Sequence, residues 1–259
     1  MNALILAAGY ATRLYPLTLD KAKPLLVVGD KPIIEWVVDN LQGVPDLETI
    51  YVVTNDKFAS AFQAWSELYQ NRHPQFKFKI VNDGSRNDDD KLGAIGDINF
   101  VVSRENLSQS NLLIVAGDNL FTESLEGFVG CAKGSEATVG VYDVGDREAI
   151  KKYGNVLIDE DGIITHLEEK PQKPRGTLAA IALYYYTPSV LSLLTMANRN
   201  RCCVQSDSKA RAFEKYLKSR SGREFTRRHL DFALQHSENV RLRGNAGRAG
   251  AFEPSETNI

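Results

Sequence analysis

Short apolar runs separated by segments with helical spacing recur along much of the chain, and this alternation constrains the fold more than any other feature. The runs are Ala3 to Ala7, Ile50 to Thr54, Phe78 to Val81, Leu112 to Val115 and Thr138 to Tyr142. Between them lie Ile33 to Leu41, Phe58 to Tyr69 and Gly93 to Val102, where apolar side chains return at the helix period. A run without polar alternation reads as a strand covered on both faces, and the intervening helices supply the cover. The expected class is α/β, with a mostly parallel sheet flanked by helices. Ligands of such sheets bind outside the carboxyl ends of the strands. Two of the runs end there in loops rich in glycine and charge, Gly9 to Arg13 and Gly117 to Asn119.

After Tyr142 the texture changes. Asn155 to Ile158 and Ile163 to Leu167 flank the turn Asp159-Glu160-Asp161-Gly162, a hairpin signal, and Ala180 to Tyr186 follows, so added antiparallel strands are expected. Residues 197 to 259 carry ten arginines and a Gly, Asn and Ser-rich end, with weak helical pattern only around Ala212 to Leu217 and His229 to Leu234. Lys plus Arg against Asp plus Glu is 18 against 26 in residues 1 to 196 and 13 against 7 in residues 197 to 259. The body is acidic and the tail basic. A formal net charge of -2 gives the molecule as a whole no attraction to nucleic acid or to an anionic membrane. Cys131, Cys202 and Cys203 have neither a paired nor a metal-ligand spacing, so free thiols in a reducing compartment are expected. No apolar run approaches the ~20 residues that span a bilayer. A cytoplasmic protein is the expectation, with a homo-oligomer left open.

Three motifs carry chemistry. The opening runs Leu6-Ala7-Ala8-Gly9-Tyr10-Ala11-Thr12-Arg13-Leu14-Tyr15-Pro16-Leu17-Thr18, followed by Lys23-Pro24-Leu25. A strand ending in small residues brings backbone close to a ligand, and loop N–H groups with Arg13 and Lys23 can hold a polyphosphate. The loop lacks the Gly-Lys-Ser/Thr ending of a P-loop and the spaced glycines of a dinucleotide fingerprint. Alone, such a loop is more often a solvated turn. The second motif, Val115-Ala116-Gly117-Asp118-Asn119, sets a carboxylate just past a buried strand, a place suited to Mg2+ or to a plain turn. The third, Tyr153-Gly154-Asn155-Val156 with Glu168-Glu169-Lys170-Pro171, is a charged hairpin end when read by itself.

Taken in order, these strings resemble the signature of the sugar nucleotidyltransferase family, typified by glucose-1-phosphate thymidylyltransferase, over about residues 1 to 190. The family pattern runs Gly-x-Gly-Thr-Arg-Leu-x-Pro-Leu-Thr and then Pro-Lys-Pro-Leu. Ala11 stands where its second glycine is usual, and Ala22 where proline precedes the lysine. The resemblance implies a Rossmann-like sheet with antiparallel strands added on the sugar-binding side. It also implies transfer of a nucleotidyl group from a nucleoside triphosphate, dTTP or UTP favoured, to a hexose 1-phosphate, with release of pyrophosphate. Leu6, Ala8 and Gly9 are then expected to face the nucleotide, with Gly93 of Lys91-Leu92-Gly93-Ala94-Ile95-Gly96-Asp97 lining the base pocket or simply starting a helix. Arg13 and Lys23 are expected at the phosphates, Asp118 at Mg2+, and Tyr153, Gly154, Glu169 and Lys170 at the sugar phosphate.

Past about Leu194 the resemblance ends, because no aromatic-x-Asp-x-Gly segment supplies the family's second metal ligand; the late aspartates, Asp207 and Asp231, sit in other contexts. The expected organisation is a catalytic core of residues 1 to 195 and a divergent basic tail of 196 to 259, either disordered, artefactual or with a role of its own. A non-catalytic nucleotide-sugar-binding or regulatory homologue is the alternative reading.

Overall fold

The computed structural model describes residues 1 to 199, with side chains to Leu194. The tail from residue 200 on, with its weak helical segments, Asp207 and Asp231, lies outside the described residues. In chain order the elements are β1 (Asn2–Leu6), a two-residue hairpin β2 (Val27–Val28) and β3 (Lys31–Pro32), α1 (Ile33–Asp39), β4 (Ile50–Thr54), α2 (Ala59–Arg72) and β5 (Phe78–Asn82). They continue with α3 (Gly93–Arg104), β6 (Leu112–Ala116), α4 (Glu126–Ala132), β7 (Ala137–Asp143), α5 (Arg147–Ile150), β8 (Gly154–Ile158), β9 (Ile164–Glu169), β10 (Leu178–Tyr186) and α6 (Pro188–Arg199).

Among the described residues β5, β4, β1 and β6 lie side by side and parallel, followed by β10, β8 and β9, with β7 on the other edge of β10. The expected strand positions are therefore met within a residue or so, and the hairpin turn is real: Asp159 Oδ1 accepts hydrogen bonds from the Asp161 and Ile163 N–H groups at 3.1 and 2.9 Å. One expectation changes. Thr138 to Tyr142 reads as one more strand of the parallel set, but β7 pairs with β10 alone, antiparallel. Its apolar pattern records burial on both faces, which a parallel or an antiparallel neighbour satisfies equally.

Period-two alternation along the parallel strands feeds two cores. Ala3, Ile5, Ile50, Val52, Leu113 and Val115 face Ile34, Val38, Phe62, Trp65 and Phe128 of α1, α2 and α4. Leu4, Val53, Val81, Leu112 and Ile114 face Ile98, Val101 and Val102 of α3 and Leu191 and Leu194 of α6. Each aliphatic side chain so buried contributes about 1.5 to 3 kcal/mol. A smaller cluster, Val139, Val141 and Val156, holds the antiparallel end together. Among the described residues no helix is long and apolar enough to cross a membrane.

One buried contact runs against this apolar logic. Asp97, in the second turn of α3, is 5% exposed. Its Oδ1 and the Oδ2 of Asp83, in the loop after β5, are both buried without a donor, and the two carboxyls face one another. The other Asp83 oxygen accepts from the Ser85 N–H and hydroxyl, each at 2.7 Å. Two carboxylates cannot bond without a proton between them. Burial, and then the neighbouring Asp83 charge, push the Asp97 carboxyl up to about 8.

The folded chain thus holds a proton on this pair that the unfolded chain, with an ordinary carboxyl near 4, releases across the interval between the two values. Stability is expected to fall as pH rises from about 4 to about 8, each unit being worth at most about 1.4 kcal/mol. Asp97→Asn supplies a permanent donor to Asp83 and is expected to flatten this decline and to exceed the wild type in stability above about pH 8. Urea unfolding at a series of pH values checks it; parallel curves for the two proteins contradict the shared proton.

Candidate active site

Because β1, β4, β5 and β6 are parallel, the loops after them open on the same edge of the sheet. β1 is buried from Asn2 to Ile5 and pairs with β4 on one side and β6 on the other. Its Leu6 carbonyl accepts from the Gly117 N–H at 2.9 Å, so the strand that ends at Leu6 and the strand that ends before Asp118 are bonded at their tips. Gly117 is required there. A Cβ on it would come within 3.0 Å of the Leu6 carbonyl oxygen and of Ile5, and 3.3 Å from Pro24.

That close packing sets the next contact. Lys23 opens a 3-10 turn, Lys23 to Leu25, whose Pro24 and Leu25 are buried, so the lysine side chain is left at the strand tips. Its Nζ meets Asp118 Oδ2 at 2.8 Å across 95 positions of sequence. The two side chains are 36% and 42% exposed. An ion pair of that exposure is worth about 0 to 1 kcal/mol, so a phosphate or a metal ion can displace either partner at little cost.

The loop after β1 lies beside this pair. Gly9 is exposed, and a Cβ on it would meet nothing within 4 Å, which leaves open space above the backbone. Ala8 is held from below: its carbonyl accepts from the Nδ2 of buried Asn55 at 3.0 Å. Ala11 takes the left-handed conformation, with φ 48°, and its carbonyl accepts from the Thr18 hydroxyl at 2.8 Å. Glycine adopts such a backbone more readily than the alanine that stands here. Arg13, in the 3-10 turn that follows, is exposed and makes no ion pair among the described residues.

Gly93 begins α3 with φ 73° and open space over its Cα, on the loop tied down through Asp83 and Ser85. The buried Tyr10 hydroxyl is pushed up by burial, with Asp90, Asp83 and Asp56 adding to the shift, so the loop after β1 and the loop before α3 share an electrostatic environment.

The antiparallel strands bring together the remaining candidates. Gly154 pairs with Glu169 across β8 and β9, and the Lys170 N–H bonds the Tyr153 carbonyl at 3.0 Å. Lys170 Nζ lies 3.3 Å from Glu169 Oε1, with both side chains open to solvent. Any Cβ at Gly154 would stand 3.2 Å from Glu169 Oε2. The link between the two halves is β10. Gly154 pairs with Ala180, and one residue on the Ile181 carbonyl accepts from the Asn119 amide at 2.6 Å, next to Asp118. The register of β10 shifts at this point, and Ala182 has φ 52°.

Sequence reasoning passed over Asn55, Asp83, the pairing of Asp97 with Asp83 and the side-chain role of Asn119. Asn55 directly follows β4 and Asn119 stands three residues past the end of β6, places where asparagine reads as turn chemistry. Their polarity at a buried strand end was the available signal.

A family model described as nucleotidyl transferase matches residues 2 to 229 and so runs past residue 190, where the visible motifs stop. The chain is 29% identical over 234 residues to a glucose-1-phosphate thymidylyltransferase of Neisseria gonorrhoeae, covering 80% of this chain and 73% of that one. It is 27% identical over 195 residues to the bifunctional protein GlmU of Methanocaldococcus jannaschii, covering 75% of this chain but only 42% of the relative. A Bacillus anthracis protein described as a glucose-1-phosphate thymidylyltransferase, solved with a sucrose, superposes with a TM-score of 0.66 at 22% identity, over 90% of this chain and 85% of that one. That likeness speaks for the fold, while the family model covers most of the sequence. On these grounds the chain belongs to the nucleotidyl transferase family.

Proposed function

We propose that the chain transfers a nucleotidyl group from a nucleoside triphosphate, dTTP or UTP, to a hexose 1-phosphate and releases pyrophosphate. The observation that carries this reading is the meeting of Lys23 and Asp118 at 2.8 Å at the tips of two bonded parallel strands, beside the open Gly9 backbone. A cation, a carboxylate and free backbone at one strand edge are what a triphosphate with a metal ion requires. The relative from Neisseria gonorrhoeae is a glucose-1-phosphate thymidylyltransferase, which favours the sugar-phosphate class of acceptor.

In this reading the residues from 1 to 195 form the catalytic core. A phosphate oxygen of the sugar phosphate attacks the α-phosphorus in line, the bond to the β-phosphate oxygen breaks, and pyrophosphate leaves with the electron pair. No covalent enzyme intermediate is needed, so the protein's task is positioning and offsetting charge. Arg13 faces the departing pyrophosphate and Lys23 the phosphates around the reacting centre. Glu169 accepts hydrogen bonds from sugar hydroxyls, with Tyr153 and Gly154 beside it, and Lys170 pairs with the sugar phosphate. Leu6, Ala8, Gly9 and Gly93 line the nucleotide.

Asp118 suits Mg2+: its carboxylate is partly exposed and stands at the end of a buried strand, and Mg2+ takes one or two carboxylates with phosphate and water oxygens. Among the described residues no three His, Cys, Asp or Glu side chains gather into a metal set. When bound, Mg2+ supplies charge neutralisation on the phosphates.

Pyrophosphate release from the purified protein, scanned over dTTP, UTP and several hexose 1-phosphates with Mg2+, tests the reading. Release with at least one pair is expected. Binding of nucleotide with no release from any pair assigns the chain to the non-catalytic homologues instead. Arg13→Ala and Lys23→Ala are each expected to lower kcat/KM by on the order of 100-fold or more, because each removes a cation facing phosphate in the transition state. Wild-type kinetics in either variant would take the loop away from the phosphates.

A further inference from the structure

We infer that Asn55 is a positioning residue for the nucleotide, fixing the Ala8–Gly9 peptide so that the Gly9 N–H stands as a rigid donor in the open site. The inference rests on the reading of the Gly9 loop as nucleotide-binding.

Asn55 directly follows β4 and is fully buried. Its amide is used at both ends. The Oδ1 accepts from the Phe58 N–H at 3.1 Å, just ahead of α2, and the Nδ2 donates to the Ala8 carbonyl at 3.0 Å. The first bond is ordinary helix-start chemistry, and Asp, Ser or Thr would serve it as well. The second is different. It needs a donor on a second atom, and among the residues favoured at such a place only asparagine carries its acceptor and its donor on separate atoms. An aspartate would keep the Phe58 bond and set an oxygen against the Ala8 carbonyl oxygen.

What the second bond fixes follows from peptide geometry. The Ala8–Gly9 peptide is trans, so its N–H points opposite to its carbonyl. With the carbonyl held inward by Asn55, the Gly9 N–H is turned away from the buried side. It makes no hydrogen bond among the described residues, and the space above Gly9 is open. Glycine is the residue whose backbone is least restrained by itself. A clamp on the preceding carbonyl removes that freedom before the ligand arrives, so ordering is not charged against binding. The same turn is anchored on its far side, where the Asp56 N–H bonds the Ser85 carbonyl at 2.9 Å.

The test separates a clamp from a helix cap. N55D keeps the acceptor for Phe58 and loses the donor; N55S caps Phe58 without a carboxylate and cannot donate as far as Ala8, and it covers the case in which N55D fails to fold. Phe62→Leu, a core change in α2, serves as a control of lowered stability. Folded protein is titrated calorimetrically with dTTP and with UTP in the presence of Mg2+, and KM is measured for each substrate. N55D and N55S are expected to raise Kd and KM for the nucleotide about tenfold or more. KM for the sugar phosphate stays at the wild-type value, and the Phe62→Leu variant shifts neither. A nucleotide KM for folded N55S within about a factor of two of wild type overturns the inference while leaving the proposed function standing. If the wild-type chain binds neither nucleotide, the proposed function fails first and this inference with it.

Discussion

The parallel pairing of β1 between β4 and β6 is the constraint from which the rest follows. A strand buried on both faces must be covered by helices on both sides, and the right-handed crossovers that deliver those helices return every parallel strand in the same direction. The carboxyl ends of β1, β4, β5 and β6 then share one edge without any residue being selected for that purpose. Gly9, Asn55, Asp83 and Asp118 each fall within three residues of such an end. The apolar core thus fixes where the chemistry is, while the few polar residues at the strand tips fix what it is.

Those polar residues are unusually dependent on one another. Asn55 ties the loop after β1 to the end of β4, Asp56 continues to Ser85 in the loop after β5, and Asp83 leads from there to Asp97 in α3. Asn55, Ser85 and Asp97 are buried, and a buried polar group left without a partner costs about 1 to 3 kcal/mol. Losing one link therefore leaves the next unsatisfied, which gives the edge one arrangement instead of several. The Asp83 and Asp97 pair is the exception, because it is satisfied only while a proton is present.

Much of the fold is legible in the sequence because its signals are the physical causes themselves: apolar runs for buried strands, returning apolar positions for helices, and Asp159 to Gly162 for the hairpin. What escaped depends on contacts between segments distant in sequence. The side of the sheet on which β7 sits is not encoded in β7, since its pattern reports burial and not the direction of its partner. The short helices α4 and α5 are too brief to show a period. Lys23 and Asp118 could be proposed separately as site residues, yet nothing local announces that they meet across 95 positions. Asp97 looks like an ordinary helix-surface acid until α3 is packed. Ala11 is a departure from a pattern on paper, and a left-handed alanine in the folded chain.

β10 carries the last step of the synthesis, because it belongs to both halves of the sheet. From Leu183 to Tyr186 it runs against β6 and extends the parallel half, and from Leu178 to Ala180 it runs against β8 and begins the antiparallel one. A straight strand could not hold both partners on the same edge in one register while β7 occupies the other. The irregularity between Ala180 and Tyr184, with Ala182 at φ 52°, takes up the difference, as bulges do where a sheet changes direction. Left-handed alanine is unfavourable, so something must hold it. The Asn119 amide does so by binding the Ile181 carbonyl, and Asn119 is the neighbour of Asp118. The distance between the Lys23 and Asp118 end and the Glu169 and Lys170 end of the site is therefore set by one irregular strand and one side-chain bond. In the proposed reaction two anionic substrates reach one another only if that spacing is kept, and the strained segment of the sheet would then lie between them.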